Sequence, residues 1–332
     1  MQKWITDVIN NPKRIAIPIM THPGIEMIGK TVEDAVTDGK IHAEAIKALN
    51  DRYPSAASTV IMDLTVEAEA FGCAVIFSRD EAPAVSHRLV SNFEEVQRLP
   101  VPSLSAGRVS QFLLANRRTA SAITDKPVLG GCIGPYSLAG RLFDMTEIMM
   151  AIYTEPDTIN LLLEKCTEFL TEYCRAIKTA GVNGIVIAEP AAGLLSNDDC
   201  LQYSSLYVKQ IIDALQDDSF SVFLHNCGNN GQCTQAMLYT GAHGYHFGNV
   251  MNMIDALETC PKDVLVMGNL DPVGIFKMST PEHVKQATKN LLEQTSGYQN
   301  FVLSSGCDVP PHTPPENVEA FYEALTEFSR KS

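Results

Sequence analysis

His225 and Cys227 lie two residues apart in Phe223-Leu-His-Asn-Cys-Gly228, and Cys307 stands 80 positions after Cys227. Imidazole nitrogen and thiolate sulfur are the ligand types that zinc prefers. In an extended strand, residues i and i+2 project to the same face, so His225 and Cys227 can grip one ion if Ser221 to Cys227 is a strand. Cys307 follows the apolar run Phe301-Val-Leu-Ser-Ser and Gly306, so a second strand end can deliver a third ligand to the same place. A structural zinc closes with four protein ligands, whereas three ligands and one exchangeable position is the catalytic arrangement. Cys73, Cys132, Cys166, Cys174, Cys200, Cys233 and Cys260 lack such a setting and read as small buried hydrophobes.

These ligands need a scaffold, and the hydrophobic pattern supplies one. Short β-branched runs recur at 14–20, 58–64, 127–131, 184–189, 221–227, 244–247, 264–269 and 301–305. Helix patterns separate them at 31–53, 157–180, 198–215, 231–239 and 281–294, with Thr280-Pro281-Glu282 forming a capped start and Pro314-Pro315 opening a last helix. Eight strands alternating with helices predict an α/β fold, a single (β/α)8 TIM barrel occupying residues 1–332 as one domain. The intervals 65–126 and 135–183 are too long for plain crossovers and predict extra helices and loops over the mouth. Gly130-Gly131-x-x-Gly134 matches no phosphate-binding fingerprint and reads as a tight turn.

Active sites of such barrels sit at the carboxyl ends of the strands. Polar residues recur there: His22, Asp63, Glu189, His246, Asn269, Asp271 and Asp308. Glu189, on the strand beside that of His225, is the candidate for a displaceable fourth zinc ligand; the alternative is a carboxylate that caps a helix or supports a ligand.

Composition narrows the setting. A net charge of −14 disfavours nucleic acid and anionic membrane surfaces as partners. No stretch approaches eighteen uninterrupted apolar residues, and the amino terminus shows no signal-peptide pattern. Nine cysteines without a dense, regular spacing point to a reducing compartment, so a cytoplasmic location is expected. Apolar helix faces would permit a homodimer.

The His-x-Cys pair with its distant cysteine, the segment Met62-Asp-Leu-Thr-Val-Glu-Ala-Glu-Ala-Phe-Gly72 and the closing Ser304-Ser-Gly-Cys-Asp-Val-Pro-Pro-His-Thr-Pro-Pro-Glu-Asn317 resemble the uroporphyrinogen-decarboxylase superfamily. Within it they look like the corrinoid-dependent methyltransferase branch. The decarboxylases carry an Arg-Gln-Ala-Gly-Arg segment for substrate carboxylates. Here the corresponding stretch is Ile19-Met-Thr-His-Pro-Gly-Ile25, without an arginine pair, so porphyrinogen decarboxylation is disfavoured.

The resemblance implies methyl transfer between a corrinoid protein and a small substrate, most simply from methylcorrinoid to a zinc-bound thiolate. A free thiol has a pKa near ~8.5, and metal coordination removes its proton at neutral pH. In-line attack on the methyl of a methylcorrinoid would give a thioether and cob(I)alamin. The Asp-x-His-x-x-Gly corrinoid-ligand motif is absent, so the corrinoid is expected on a separate partner protein. Glu189, Asp63 and His246 are the candidate catalytic residues, and His22 and Asp271 the candidates for contact with the corrinoid. Alternatives are the reverse methyltransferase, moving methyl from a methoxy aromatic, methylamine or thioether onto the corrinoid protein; a decarboxylase-like lyase; and a non-catalytic corrinoid-binding or metal-storage protein.

Overall fold

The structure is a computed structural model describing residues 1–331. Among the described residues nine strands form: β1 (Ser58–Thr59), β2 (Val75–Ile76), β3 (Ala84–Val85), β4 (Val128–Ile133), β5 (Gly184–Ala188), β6 (Ser221–Asn226), β7 (Gly244–Phe247), β8 (Leu265–Leu270) and β9 (Phe301–Ser305). Seven make one parallel sheet in the order β1-β4-β5-β6-β7-β8-β9, while β2 and β3 form a small antiparallel hairpin. The expected first strand takes the eighth place. Ala16 bridges in parallel to Leu303; Ile17 N donates to the Leu303 carbonyl at 2.9 Å, and Ala56 N donates to the Ala16 carbonyl at 2.9 Å. Backbone hydrogen bonds thus run from β9 through residues 15–17 to the approach of β1, and the sheet curls into a barrel.

Two expected strands are shorter than their apolar runs. In 14–20, Pro18 has no N–H to give to a ladder. The run 58–64 ends early because Asp63 Oδ1 draws in Thr65 N at 2.8 Å and Val66 N at 3.1 Å. Leu64 there takes a positive φ of 58°. The expected helix 31–53 is two helices, Val32–Thr37 and Gly39–Arg52. Asp38 between them is extended and accepts from Lys40 N at 2.7 Å, since a short carboxylate competes well for a helix's first N–H groups. Gly130 and Gly131 lie inside β4 and do not form the expected turn. A Cβ at Gly131 would come 2.1 Å from Met62 Cγ, so the glycine lets Met62 fill the barrel.

The long intervals hold the expected extra helices. Val66–Phe71, Phe93–Arg98 and Val109–Ala122 fall in the first, and Pro135–Phe143, Met145–Thr154 and Pro156–Thr179 in the second.

One hydrophobic cluster lies between the sheet and its helices. A second fills the barrel interior: Ile17, Ala57, Leu129, Val186, Phe223, Leu265, Met267 and Val302, closed by Ile5 of the helix Gln2–Ile9. This apolar layer sits at the amino-terminal end of the strands. The period of two then brings His225, His246 and Ser304 inward on the next layer, two residues beyond Phe223, Gly244 and Val302.

Phe223 is fully buried in the lower layer, so Phe223→Ala should lower unfolding free energy by about 3–5 kcal/mol. A drop in the urea midpoint at constant m-value would show it; a loss under about 1 kcal/mol would mean that this layer is not close-packed.

Candidate metal centre

β6 carries His225 near its carboxyl end, and Cys227 follows immediately after the strand. Cys307 arrives from the turn after β9. One ligand atom from each of His225, Cys227 and Cys307 lies within 4.8 Å of the other two. His225 and Cys307, 82 positions apart, are therefore brought to one point by parallel strands on opposite sides of β7 and β8. Close packing holds the turns there: a Cβ at Gly248 would stand 2.3 Å from the Cys227 carbonyl oxygen, so only glycine admits that approach.

The donor set fits a soft divalent cation. His225 Nε2 is buried and has no hydrogen-bond partner, an arrangement that leaves its lone pair for an ion. The Cys227 thiol is held down at about 7 by its hydrogen bond with the Cys307 sulfur. The same contact, with burial, pushes Cys307 up to about 12. Thiols become metal ligands by losing their protons, so a cation held here would bind the two sulfurs as thiolates. The other seven cysteines are buried thiols, as expected for core residues.

His246 is register-paired with His225 across β6 and β7. The two rings meet edge to face at 4.6 Å, with the two Nδ1 atoms 2.8 Å apart. The opposite nitrogen of His246 lies 2.7 Å from Ser304 Oγ. Burial, and then the neighbouring His225, pull the His246 pKa well below its ordinary value, so the ring is neutral.

The remaining candidates are distributed differently. Glu189 stands next to the centre by its backbone, since its N–H donates to the His225 carbonyl at 2.8 Å. Its carboxylate turns to the start of the helix Pro135–Phe143, accepting from Tyr136 N at 2.8 Å, Ser137 N at 2.9 Å and Ser137 Oγ at 2.6 Å. Of the two roles open to Glu189, the structure displays the helix cap and not the fourth ligand.

Asp63, a candidate catalytic residue, is tied into the scaffold. Its side chain is 1% exposed and ion-paired with Arg108, while Oδ1 holds the turn at 65–66. Arg108 also binds Glu69 Oε2 at 2.7 Å and Thr65 Oγ1 at 2.8 Å, so the group is a closed network. Asp271 Oδ1 caps the turn Pro272–Lys277 through Val273 N and Gly274 N, both at 2.9 Å.

His22 lies at the mouth, in a cleft of about 240 Å³ shared with Glu26, Arg79 and His312. Burial pulls its pKa down, but the Asp308 carboxylate 3.3 Å away outweighs burial and leaves it raised. Thr21 Oγ1 donates to the same carboxylate at 2.6 Å, and Asp308 is correspondingly lowered despite its burial. Sequence reasoning assigned no separate role to Ser304, Arg108 or Glu67, although Glu67 and Ser304 lie in the segments that carry the family resemblance. Glu67 is buried, accepts from Ile133 N at 3.1 Å through Oε1, and leaves Oε2 without a partner.

An α/β barrel with a sulfur and imidazole cluster at the carboxyl end of its strands is the class defined by these observations. The uroporphyrinogen decarboxylase (URO-D) pattern matches residues 12–328, and the chain belongs to that family. Methylcobamide:CoM methyltransferase MtbA of Methanosarcina acetivorans is 30% identical over 314 residues, which is 90% of each chain. Uroporphyrinogen decarboxylase of Pseudoalteromonas translucida is 27% identical over 291 residues, 84% of this chain and 81% of that one. A solved methyltransferase from Methanosarcina mazei shares the fold with a TM-score of 0.88 at 23% identity, covering 98% of both chains.

Burial pushes both Glu67 and Glu189 from an ordinary 4.5 up to about 7. Because the folded state holds these protons more tightly, stability is fully present below about pH 4.5 and falls as pH rises to about 7. Glu67→Gln should flatten that decline, gaining on the order of 1–3 kcal/mol at pH 8 relative to pH 4.5. Urea unfolding at the two pH values measures it; an unchanged slope would contradict a buried carboxyl at Glu67.

Proposed function

We propose that the protein is a corrinoid-dependent methyltransferase that moves a methyl group from a methylcorrinoid, carried by a partner protein, to the sulfur of a small thiol. The observation that carries this reading is the convergence of His225 Nε2, Cys227 Sγ and Cys307 Sγ, with the imidazole nitrogen buried and unpartnered. A relative that covers 90% of this chain is named for methyl transfer from a methylcobamide to CoM.

Zinc bound by these three side chains would supply a soft Lewis acid that lowers the pKa of a substrate thiol and fixes its sulfur. The chain's own part is to hold the ligands, admit two substrates and restrict water. Two thiolates and a neutral imidazole bring a divalent ion to net zero charge, which still favours one more anion. The S–C bond forms as the Co–C bond breaks, cobalt keeps the electron pair, and the thiol proton leaves to solvent. Both substrates enter where the strands end, since the lower barrel is filled by the apolar layer around Phe223.

A macromolecular partner suits that face. Met27, Leu194, Val250, Val273 and Met278 are exposed on segments that follow barrel strands, at the end occupied by the cysteines, and exposed apolar side chains near a site favour protein contact. His22, at the mouth, is the candidate for contact with the corrinoid. Glu189 would become a ligand only by leaving its three donors on Tyr136 and Ser137, so its contribution is to fix the start of the helix after β4. All nine cysteines are free thiols among the described residues, in keeping with a reducing cytoplasm. Among the described residues, no helix is long and apolar enough to cross a membrane.

The reading is tested by mixing the zinc-reconstituted protein with methylcobalamin and a thiol such as 2-mercaptoethanesulfonate and following the visible spectrum. Thiol-dependent formation of cob(I)alamin, reduced at least ~100-fold by Cys307→Ala, is expected. Zinc binding without thiol-dependent demethylation would shift the assignment to transfer from a methylated donor onto the corrinoid.

A further inference from the structure

The hydrogen bonds behind His225 determine which of its two nitrogens carries a proton. Ser304 Oγ lies 2.9 Å from the Ile17 carbonyl oxygen, which can only accept, so the hydroxyl proton points there. The same Oγ lies 2.7 Å from His246 Nε2. With its proton committed to Ile17, the hydroxyl oxygen must accept, and His246 Nε2 is the nitrogen that bears hydrogen. A neutral imidazole has one N–H, so His246 Nδ1 offers a lone pair to His225 Nδ1 at 2.8 Å. The His246 carbonyl, 3.3 Å from that nitrogen, accepts from it as well. His225 therefore carries its proton on Nδ1 and presents the lone pair of Nε2, the buried atom with no partner.

Nothing nearby supports the opposite arrangement through a buried charge. The histidine ion pairs among the described residues are those of His22 and His312, and neither His225 nor His246 has a carboxylate partner. The relay is also anchored at both ends by the barrel itself. His225 and His246 sit side by side in β6 and β7, and Ser304 is tied through Ile17 to the segment that closes the sheet against β9.

We propose that His246, locked by Ser304, is a positioning residue that sets the tautomer and ring orientation of His225 and so prepares the third zinc ligand before metal arrives. This inference rests on the metal reading above. A histidine ligand is more often oriented by a carboxylate or a carbonyl, and such supporting contacts are typically worth 10–100-fold in metal affinity. A second neutral imidazole does the task without adding negative charge to a centre that already holds two thiolates. The replacement His246→Leu removes the acceptor. His246→Asn restores an acceptor near the position of Nδ1, and Ser304→Ala keeps both rings but removes the lock.

The test reads zinc affinity by chelator competition and, separately, the protonated nitrogen of His225 by 15N NMR of the metal-free protein. His246→Leu should weaken zinc binding roughly 10–100-fold and populate the Nε2–H form of His225. His246→Asn should recover most of the affinity and the Nδ1–H form, and Ser304→Ala should fall between. Wild-type affinity in both His246→Leu and Ser304→Ala, or an unchanged His225 tautomer in them, would overturn the proposal. If His246→Leu does not fold, Ser304→Ala decides the matter by the same two readouts. A wild-type protein that binds no zinc would overturn the metal reading, while the metal-free spectrum would still decide the relay.

Discussion

A nitrogen buried without a partner is expensive, on the order of 1–3 kcal/mol, and His225 Nε2 is such an atom. The fold holds it in place because the ring is fixed from its other side. Its Nδ1 is engaged by His246, His246 by Ser304, and Ser304 by the carbonyl of Ile17. That chain of contacts crosses the barrel interior from β6 to the segment beside β9. It can exist only if the sheet curls until those elements face one another. The candidate metal centre and the closure of the barrel are consequently one constraint.

The strand period of two turns this constraint into layers. Phe223 and Val302 help fill the lower interior with apolar volume, and the residues two positions later, His225 and Ser304, carry nitrogen and oxygen. Beyond them the strands end, and the cysteines sit in turns that only glycine allows to approach. Around this centre, carboxylates organise the scaffold. Asp63 holds the turn after β1 with Arg108, Glu189 caps the helix after β4, and Asp271 caps the turn after β8. Each gives at least one oxygen to backbone N–H groups at a helix start, where the local dipole favours negative charge.

Much of this was legible in the sequence. His225 and Cys227 announced themselves by their spacing, because i and i+2 in a strand share a face, and Cys307 by its place after another apolar run. Strand order followed from alternation alone. Legibility failed where a local competitor acts: Pro18 and Asp63 each stop a strand that hydrophobicity would extend, and Asp38 breaks an otherwise continuous helical pattern. It failed again for Ser304 and Arg108. Their partners lie 287 and 45 residues away, and no period links a serine in β9 to a carbonyl before β1. Glu189 shows the intermediate case, in which position at a strand end is readable but the direction of the carboxylate depends on the helix packed against it.

X-ray absorption at the zinc edge of the purified protein tests the central claim most directly. The account predicts one zinc per chain with two sulfurs near about 2.3 Å and one nitrogen near about 2.0 Å, and a third sulfur when a thiol is added. A first shell made only of oxygen and nitrogen, or no gain of sulfur on adding thiol, would contradict it.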